Sequence, residues 1–243
     1  MKKLRETRGL TLVEVIVSIA IFAAIALPLF SVFVQSIKTD KASADVLNAN
    51  YIAQDYIEKL DGAIYKQALE NRPSGAAVGN YRLSAVIKPY GTSPFGSACG
   101  FAHINLSSDG TMLAVMPDGK WSFFASLPST ISMSLSGSNY TFKGGSVTLT
   151  GNAGYDYCSI VINATKKPAD TKATITLGTN CKAAYYCKEL IKNDITINGT
   201  GSQETYTNNI IGDKSLVYVK ASVYDSSSKE VAFSESYIHI RNW

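Results

Sequence analysis

The chain opens with a long apolar run that passes into a helical stripe. Residues 10–37 are mostly apolar, and Glu14 is their one ionisable side chain. Because a helix needs roughly 20 apolar residues to cross the hydrocarbon core of a bilayer, we predict that this run is a transmembrane helix. Apolar residues then recur every three or four positions, at Ala42, Val46, Ala49, Ala53, Tyr56, Leu60 and Ile64. This spacing predicts that the helix continues as an amphipathic half over residues 38–70.

After residue 70 the helical period gives way to short alternating runs. The sequence Asn-Arg-Pro-Ser-Gly at 71–75 ends the helix, and β-branched runs separated by Asp-Gly and Gly-Gly turns follow. The last two runs predict a hairpin with its loop at 225–229 and one face formed by Val217, Val219, Ala221 and Val223. We therefore predict an α+β fold, in which a long N-terminal helix carries a mainly antiparallel β domain.

A turn near residues 127–130 marks a potential boundary within the β domain. It would separate a proximal β region, 71–130, which packs on the helix, from a distal β module, 131–243. The pattern leaves one lobe and two lobes equally open, and it shows no convincing internal repeat.

The residues before the apolar run set its orientation. Residues 1–9 contain four basic side chains and one acidic one. Positive charge beside a span keeps that end in the cytoplasm, so the rest of the chain is predicted to lie outside. Within the span, an isolated carboxylate costs several kcal/mol or more, so Glu14 is expected to have a functional partner. Cleavage after Gly9 would create one, a free amino group.

The string Gly9-Leu10-Thr11-Leu12-Val13-Glu14 strongly resembles the processing site of the type IV pilin and pseudopilin superfamily. The resemblance implies that prepilin peptidase removes residues 1–9 as a leader and methylates the new N-terminus at Leu10. It also implies that Glu14 and Thr11 act in assembly and subunit register. Pro28 would kink the helix where it packs in a filament, or it is a tolerated kink within the membrane.

Residues 46–60 resemble the minor pilin and minor pseudopilin branch of this superfamily. The implied function is a minor pilin, a structural subunit of a type IV pilus or related filament with a tip role in assembly initiation, adhesion or DNA uptake. Its partners would be membrane lipid before assembly, prepilin peptidase, a membrane assembly platform and other pilin subunits. The protein would begin as a single-pass protein of the cytoplasmic membrane and end in an extracellular filament or on the cell surface.

Other interpretations compete with this one. The same features would suit a minor pseudopilin of a type II secretion system, or a surface adhesin held by its N-terminus. An ordinary secretory signal could be cut near Ala24-Ile25-Ala26, although the apolar run continues past that point. A plain membrane anchor would leave the string around Glu14 unexplained.

The four cysteines all fall on the predicted outer side, at Cys99, Cys158, Cys181 and Cys187. An even number in an exported chain predicts two disulfides, with three connectivities open. Spacing allows Cys181 to pair with Cys187, which would leave Cys99 for Cys158. No C-x-x-C pair or nearby histidine indicates a metal site.

The sequence also gives no sign of catalysis or of a cofactor. It has two histidines, no G-x-S-x-G string and no glycine-rich phosphate loop before a helix. We therefore expect a non-enzymatic protein that needs neither metal nor cofactor.

The formal net charge of +4 resides largely in the first nine residues, so the remainder is close to neutral. The balance therefore gives no general case for nucleic-acid binding. One local cluster is basic and has tyrosines nearby, and it consists of Lys166, Lys167, Lys172, Lys182, Lys188 and Lys192. It predicts either a patch for DNA phosphates or an anionic host surface, or a solvated loop.

Overall fold

A computed structural model describes residues 12–91, 98–165, 167, 171–187, 193–199, 203–207 and 214–242. Two helices come first, α1 (Leu12–Leu60) and α2 (Tyr65–Glu70). The strands that follow are β1 (Ser74–Val78), β2 (Tyr81–Pro89), β3 (Gly100–Leu106), β4 (Met112–Val115), β5 (Trp121–Phe124), β6 (Thr130–Ser136), β7 (Asn139–Gly144), β8 (Val147–Asn152), β9 (Cys158–Asn163), β10 (Ala173–Leu177), β11 (Cys181–Cys187), β12 (Ile195–Gly199), β13 (Gln203–Thr207), β14 (Lys214–Tyr224) and β15 (Glu230–Arg241). The predicted α+β fold, with its long N-terminal helix and β domain, is confirmed.

The chain divides into two compact units, residues 1–48 and residues 49–243. In the second unit, α1 buries one stripe of side chains at helical spacing, namely Ala49, Ala53, Ile57 and Leu60. The helical period was predicted correctly, but the helix predicted over residues 38–70 ends at Leu60 and is followed, after a turn, by the separate helix α2. However, Ala42 and Val46 of the predicted stripe are exposed, because they lie in the first unit, where no described side chain is buried.

A four-stranded antiparallel sheet, which we call the helix-side sheet, has the order β1-β2-β14-β15. Its inner face packs on residues 49–60 of α1 and on α2. The predicted hairpin forms this face, since the side chains of Val217, Val219, Ala221 and Val223 are fully buried. The turn between β14 and β15 is closed by Asp225, whose carboxylate accepts hydrogen bonds from the backbone N–H groups of Ser227 and Lys229.

Two further sheets enclose a second core. A six-stranded sheet has the order β13-β11-β9-β3-β4-β5, and a five-stranded sheet has the order β12-β10-β6-β7-β8. Strand β4 shows how the layers connect, because its side chains alternate between the two cores. Met112 and Ala114 face the core shared with the five-stranded sheet, whereas Leu113 and Val115 join the core under the helix-side sheet. The six-stranded sheet is therefore the middle layer of the β domain.

From β9 to β13 the strands alternate between the six-stranded and five-stranded sheets. Each strand pairs in parallel with the next one in its own sheet, as Cys158 does with Cys181 and Ala173 with Ile195. These pairings define coils with a repeat of roughly 22 residues, which we call the coiled region. Here the domain departs from a mainly antiparallel arrangement, and a repeat exists where none was evident from the sequence.

Candidate functional site

Glu14 lies in the first turn of α1, and it is exposed. A carboxylate is favoured there, because the unpaired N–H groups at a helix N-terminus carry partial positive charge. The predicted processing residues Gly9 and Leu10, and the assembly residue Thr11, lie outside the described residues.

The helix around Glu14 presents apolar side chains on all sides. Every large apolar side chain from residue 12 to residue 37 is between 37% and 78% exposed. Among the described residues, α1 is the helix that is long and apolar enough to cross a bilayer, although these criteria would also suit a signal sequence. A helix that is apolar around its whole circumference requires cover from lipid or from other protein.

Pro28 lies inside α1, which runs unbroken through it. The Ser31 hydroxyl donates to the Pro28 carbonyl at 2.8 Å, so a side chain contributes a hydrogen bond within this turn. A shallow apolar groove near this turn includes the half-buried Ala26 among larger side chains, and it is lined by Phe22, Ile25, Ala26, Leu29, Phe30 and Phe33. Small residues between large ones allow close approach of a second helix.

The four cysteines are all buried, and the structure contains no disulfide bond among them. Cys181 and Cys187 are the first and last residues of β11, which places them about 20 Å apart along an extended strand. Disulfide-bonded cysteines have Cα atoms within roughly 7 Å of each other, so the predicted pairing of Cys181 with Cys187 is wrong. Spacing in sequence suggested a small loop, whereas the residues between them form a strand.

The structure describes three members of the predicted basic patch, and they differ in exposure. Lys167 is buried, and its ammonium donates to the Asp194 carboxylate at 2.9 Å. Lys172 is exposed and Lys182 is half-buried. The remaining members, Lys166, Lys188 and Lys192, lie outside the described residues. Lys167 is therefore a structural residue, because a buried charge must be paired.

Sequence reasoning missed a buried polar cluster between the six-stranded sheet and the helix-side sheet. The Ser215 hydroxyl of β14 donates to the Asn242 side-chain oxygen at 2.5 Å and lies 3.5 Å from that of Asn105 on β3. His103, two residues before Asn105, is 2% exposed and packs edge-on against Tyr65. The sequence does contain a signal for this cluster, because His103 and Asn105 occupy alternate positions of β3. The residues that alternate with them, Ala102, Ile104 and Leu106, face the other core.

Sequence reasoning also missed an aromatic cluster on the outer face of the helix-side sheet. Tyr237 is 55% exposed, and its ring centroid lies 4.4 Å from that of Tyr90 and 5.5 Å from that of Tyr218. Phe101 extends the cluster, 5.4 Å from Tyr90. Tyr218 alternates with the buried Val217 and Val219, so a period of two could have indicated this outward face.

In the described part of the chain, no group of three histidine, cysteine or acidic side chains is arranged to hold a metal ion. Comparison with known families identifies one segment. Residues 4–30 match the family model of the prokaryotic N-terminal methylation motif. No curated protein and no solved structure matches the chain. The match covers the predicted processing site and the first part of α1, and it does not extend to the β domain.

Proposed function

We propose that this chain, which carries the N-terminal methylation motif that marks type IV pilin-like and pseudopilin-like proteins, is a minor pilin of a type IV pilus or related filament. The observation that carries the proposal is the position of the motif. Its residues 12–30 lie on a helix whose large apolar side chains, from residue 12 to residue 37, are all exposed. A motif for N-terminal processing and an apolar surface that needs cover are the two features that a filament subunit requires.

Processing would begin in the membrane. Prepilin peptidase would cut after Gly9 and methylate the amino group of Leu10. The exposed Glu14 would then pair with that amino group on a neighbouring subunit and set the axial register of the filament. A buried ion pair adds little net stability, but removing one partner leaves the other charge buried and unpaired. Glu14 therefore acts mainly by selecting subunits and registers in which the pair can form.

Assembly would be driven by the apolar surface of α1. Burial of one large apolar side chain is worth about 1.5–3 kcal/mol relative to water, and this helix exposes many of them. The helix would therefore stay in lipid until an assembly platform passes it to sister helices, which cover the same surface. The groove around Ala26 is a suitable seat for a neighbouring helix.

A minor pseudopilin of a type II secretion system is the second candidate, because the methylation motif marks both classes. The two differ in what the filament serves, surface attachment and motility in one case and protein export in the other. Loss of surface pili on deletion of the chain favours the pilin, and loss of a secreted protein with intact pili favours the pseudopilin. In either case the role proposed here is structural and not enzymatic.

The test is the intact mass and N-terminal sequence of the chain, isolated from its native membrane and from the sheared surface fraction. We expect a chain that begins at N-methylated Leu10 in both fractions. A Gly9→Leu variant should retain Met1 and should be missing from the sheared fraction. A wild-type chain that begins at Met1 or at Leu27 would overturn the proposal, since the first outcome indicates a plain anchor and the second a cleaved secretory signal.

A further inference from the structure

Two cysteines lie side by side at one level of the six-stranded sheet, and a third lies one residue out of register with them. Strands β3, β9 and β11 are adjacent and parallel, and Gly100, Cys158 and Cys181 are in register across them. Cys99 directly precedes Gly100. All three cysteine side chains are buried, so the start of each strand brings a thiol into the interior of the protein.

Cys158 and Cys181 have the geometry of a cross-strand pair. Adjacent strands are about 4.8 Å apart, and disulfide-bonded cysteines have Cα atoms about 4.4–6.8 Å apart. Both side chains face the core between the six-stranded and five-stranded sheets. This shared face follows from the alternation of side chains, because Ile160 and Ala183, two residues further along each strand, belong to the same core.

The other two cysteines fit less well. Gly100, and not Cys99, is in register with Cys158, so Cys99 is one residue out of step with its neighbour. Cys187 is at the opposite end of β11 from Cys181.

We propose that Cys158 and Cys181 are joined by a disulfide when the chain folds outside the cytoplasm, which covalently links two successive coils of the coiled region. The proposal rests on the outer location assigned under the proposed function. Each thiol loses its proton, the two sulfurs form one S–S bond, and the two electrons released reduce a disulfide donor to two thiols. That donor is a low-molecular-weight disulfide or an oxidised protein of the thiol–disulfide oxidoreductase class.

Burial determines when this oxidation occurs. Both side chains are fully buried in the folded protein. Burial raises the pKa of the Cys181 thiol to about 11, and it raises the pKa of Cys158 well above its usual value, with the neighbouring Cys181 and Cys99 adding to the effect. Since the thiolate is the reactive form, the bond must form before the strands close over the thiols. A chain that has folded reduced should therefore resist oxidation.

The decisive experiment maps the linkage in the full chain, extracted from its native membrane in detergent. Free thiols are blocked with an alkylating reagent in denaturant without reductant, and the protein is digested and analysed by mass spectrometry. We expect a cross-linked peptide that joins Cys158 to Cys181, with Cys99 and Cys187 alkylated. A linkage between Cys99 and Cys158, or alkylation of all four residues in both this sample and the refolded one below, would overturn the proposal.

A refolding experiment tests the Cys158–Cys181 pairing independently of where the chain folds in the cell. The denatured full chain is refolded in detergent with a mixture of reduced and oxidised glutathione, and the linkage is mapped again. If the Cys158–Cys181 link forms here but is missing from the native sample, the pairing stands and the proposed outer location fails.

Serine variants provide the matched controls. Cys187→Ser should retain the link, and its melting temperature should fall by about 5–10 °C on reduction, as in the wild type. Cys158→Ser and Cys181→Ser should show no such fall, because they cannot form the bond. The mapping of the wild type decides the question even if these variants fold poorly.

Discussion

The buried ammonium of Lys167 lies 2.9 Å from the carboxylate of Asp194. Lys167 lies between β9 and β10, whereas Asp194 directly precedes β12. The ion pair therefore joins two successive coils of the coiled region. The Lys167 side chain is 1% exposed and that of Asp194 is 17% exposed, so water screens the pair weakly.

We expect Lys167→Met to lower the free energy of unfolding by about 3 kcal/mol, because it leaves the largely buried Asp194 carboxylate without its cation. Lys172→Met is the matched control, and this exposed position should change stability by less than about 0.5 kcal/mol. Urea unfolding of the full chain in detergent measures both. The double variant Lys167→Met/Asp194→Leu should recover part of the loss, since it removes the stranded charge. Equal stabilities for Lys167→Met and Lys172→Met would contradict the assignment.

A second prediction concerns acid stability. Burial lowers the pKa of His103 from 6.5 to about 4, opposed in part by a hydrogen bond to the Tyr90 carbonyl oxygen, 3.1 Å from Nε2. The unfolded chain therefore binds a proton between these two values while the folded chain does not. The resulting stability is present above pH 6.5 and is lost as the pH falls towards 4, by about 3 kcal/mol.

The check is the free energy of unfolding between pH 7 and pH 4 in two variants. His103→Gln should flatten part of this pH dependence, because the glutamine side chain does not titrate. His239→Gln changes the other histidine of the chain, which is exposed, and should keep the wild-type slope. All carboxylates are common to the two variants, so the difference between their slopes reports His103. Indistinguishable slopes would show that His103 is not the group responsible.

A third prediction concerns Glu14. Glu14→Val should leave the precursor inserted and cleaved, but it should lower the amount recovered in sheared filaments by tenfold or more. An amino group left without its carboxylate at the new N-terminus would disfavour packing into the filament. A loss of about 1.4 kcal/mol in packing free energy is enough to lower incorporation tenfold. Ile16→Val, an apolar change two residues away, should be incorporated normally. Quantitative immunoblots of membrane and sheared fractions measure both variants. Normal recovery of Glu14→Val would argue against a register role.

Local patterns in the sequence were sufficient for several parts of the fold. The period of three to four residues predicted the helical character of residues 38–70, because a helix buries one stripe of its own surface, but it did not predict the break between α1 and α2 after Leu60. Strict alternation predicted the β14–β15 hairpin and its buried face, since both strands and their turn are contiguous in the chain. The string around Glu14 predicted the processing site, because such a motif is local and needs no tertiary contact.

The tertiary structure decided which distant residues meet. The coiled region depends on strands that pair across about 22 residues, and such non-local pairing leaves no local pattern in the sequence. Spacing in the chain placed Cys181 beside Cys187, but strand register places Cys181 beside Cys158, because β11 is extended. Composition placed Lys167 in a basic cluster that predicted either a binding patch or a solvated loop, but its side chain is buried beside Asp194. The sequence by itself therefore determined the membrane-type helix, the processing motif and the period of each element, which are local properties, whereas the pairing of thiols and charges followed only from non-local strand register.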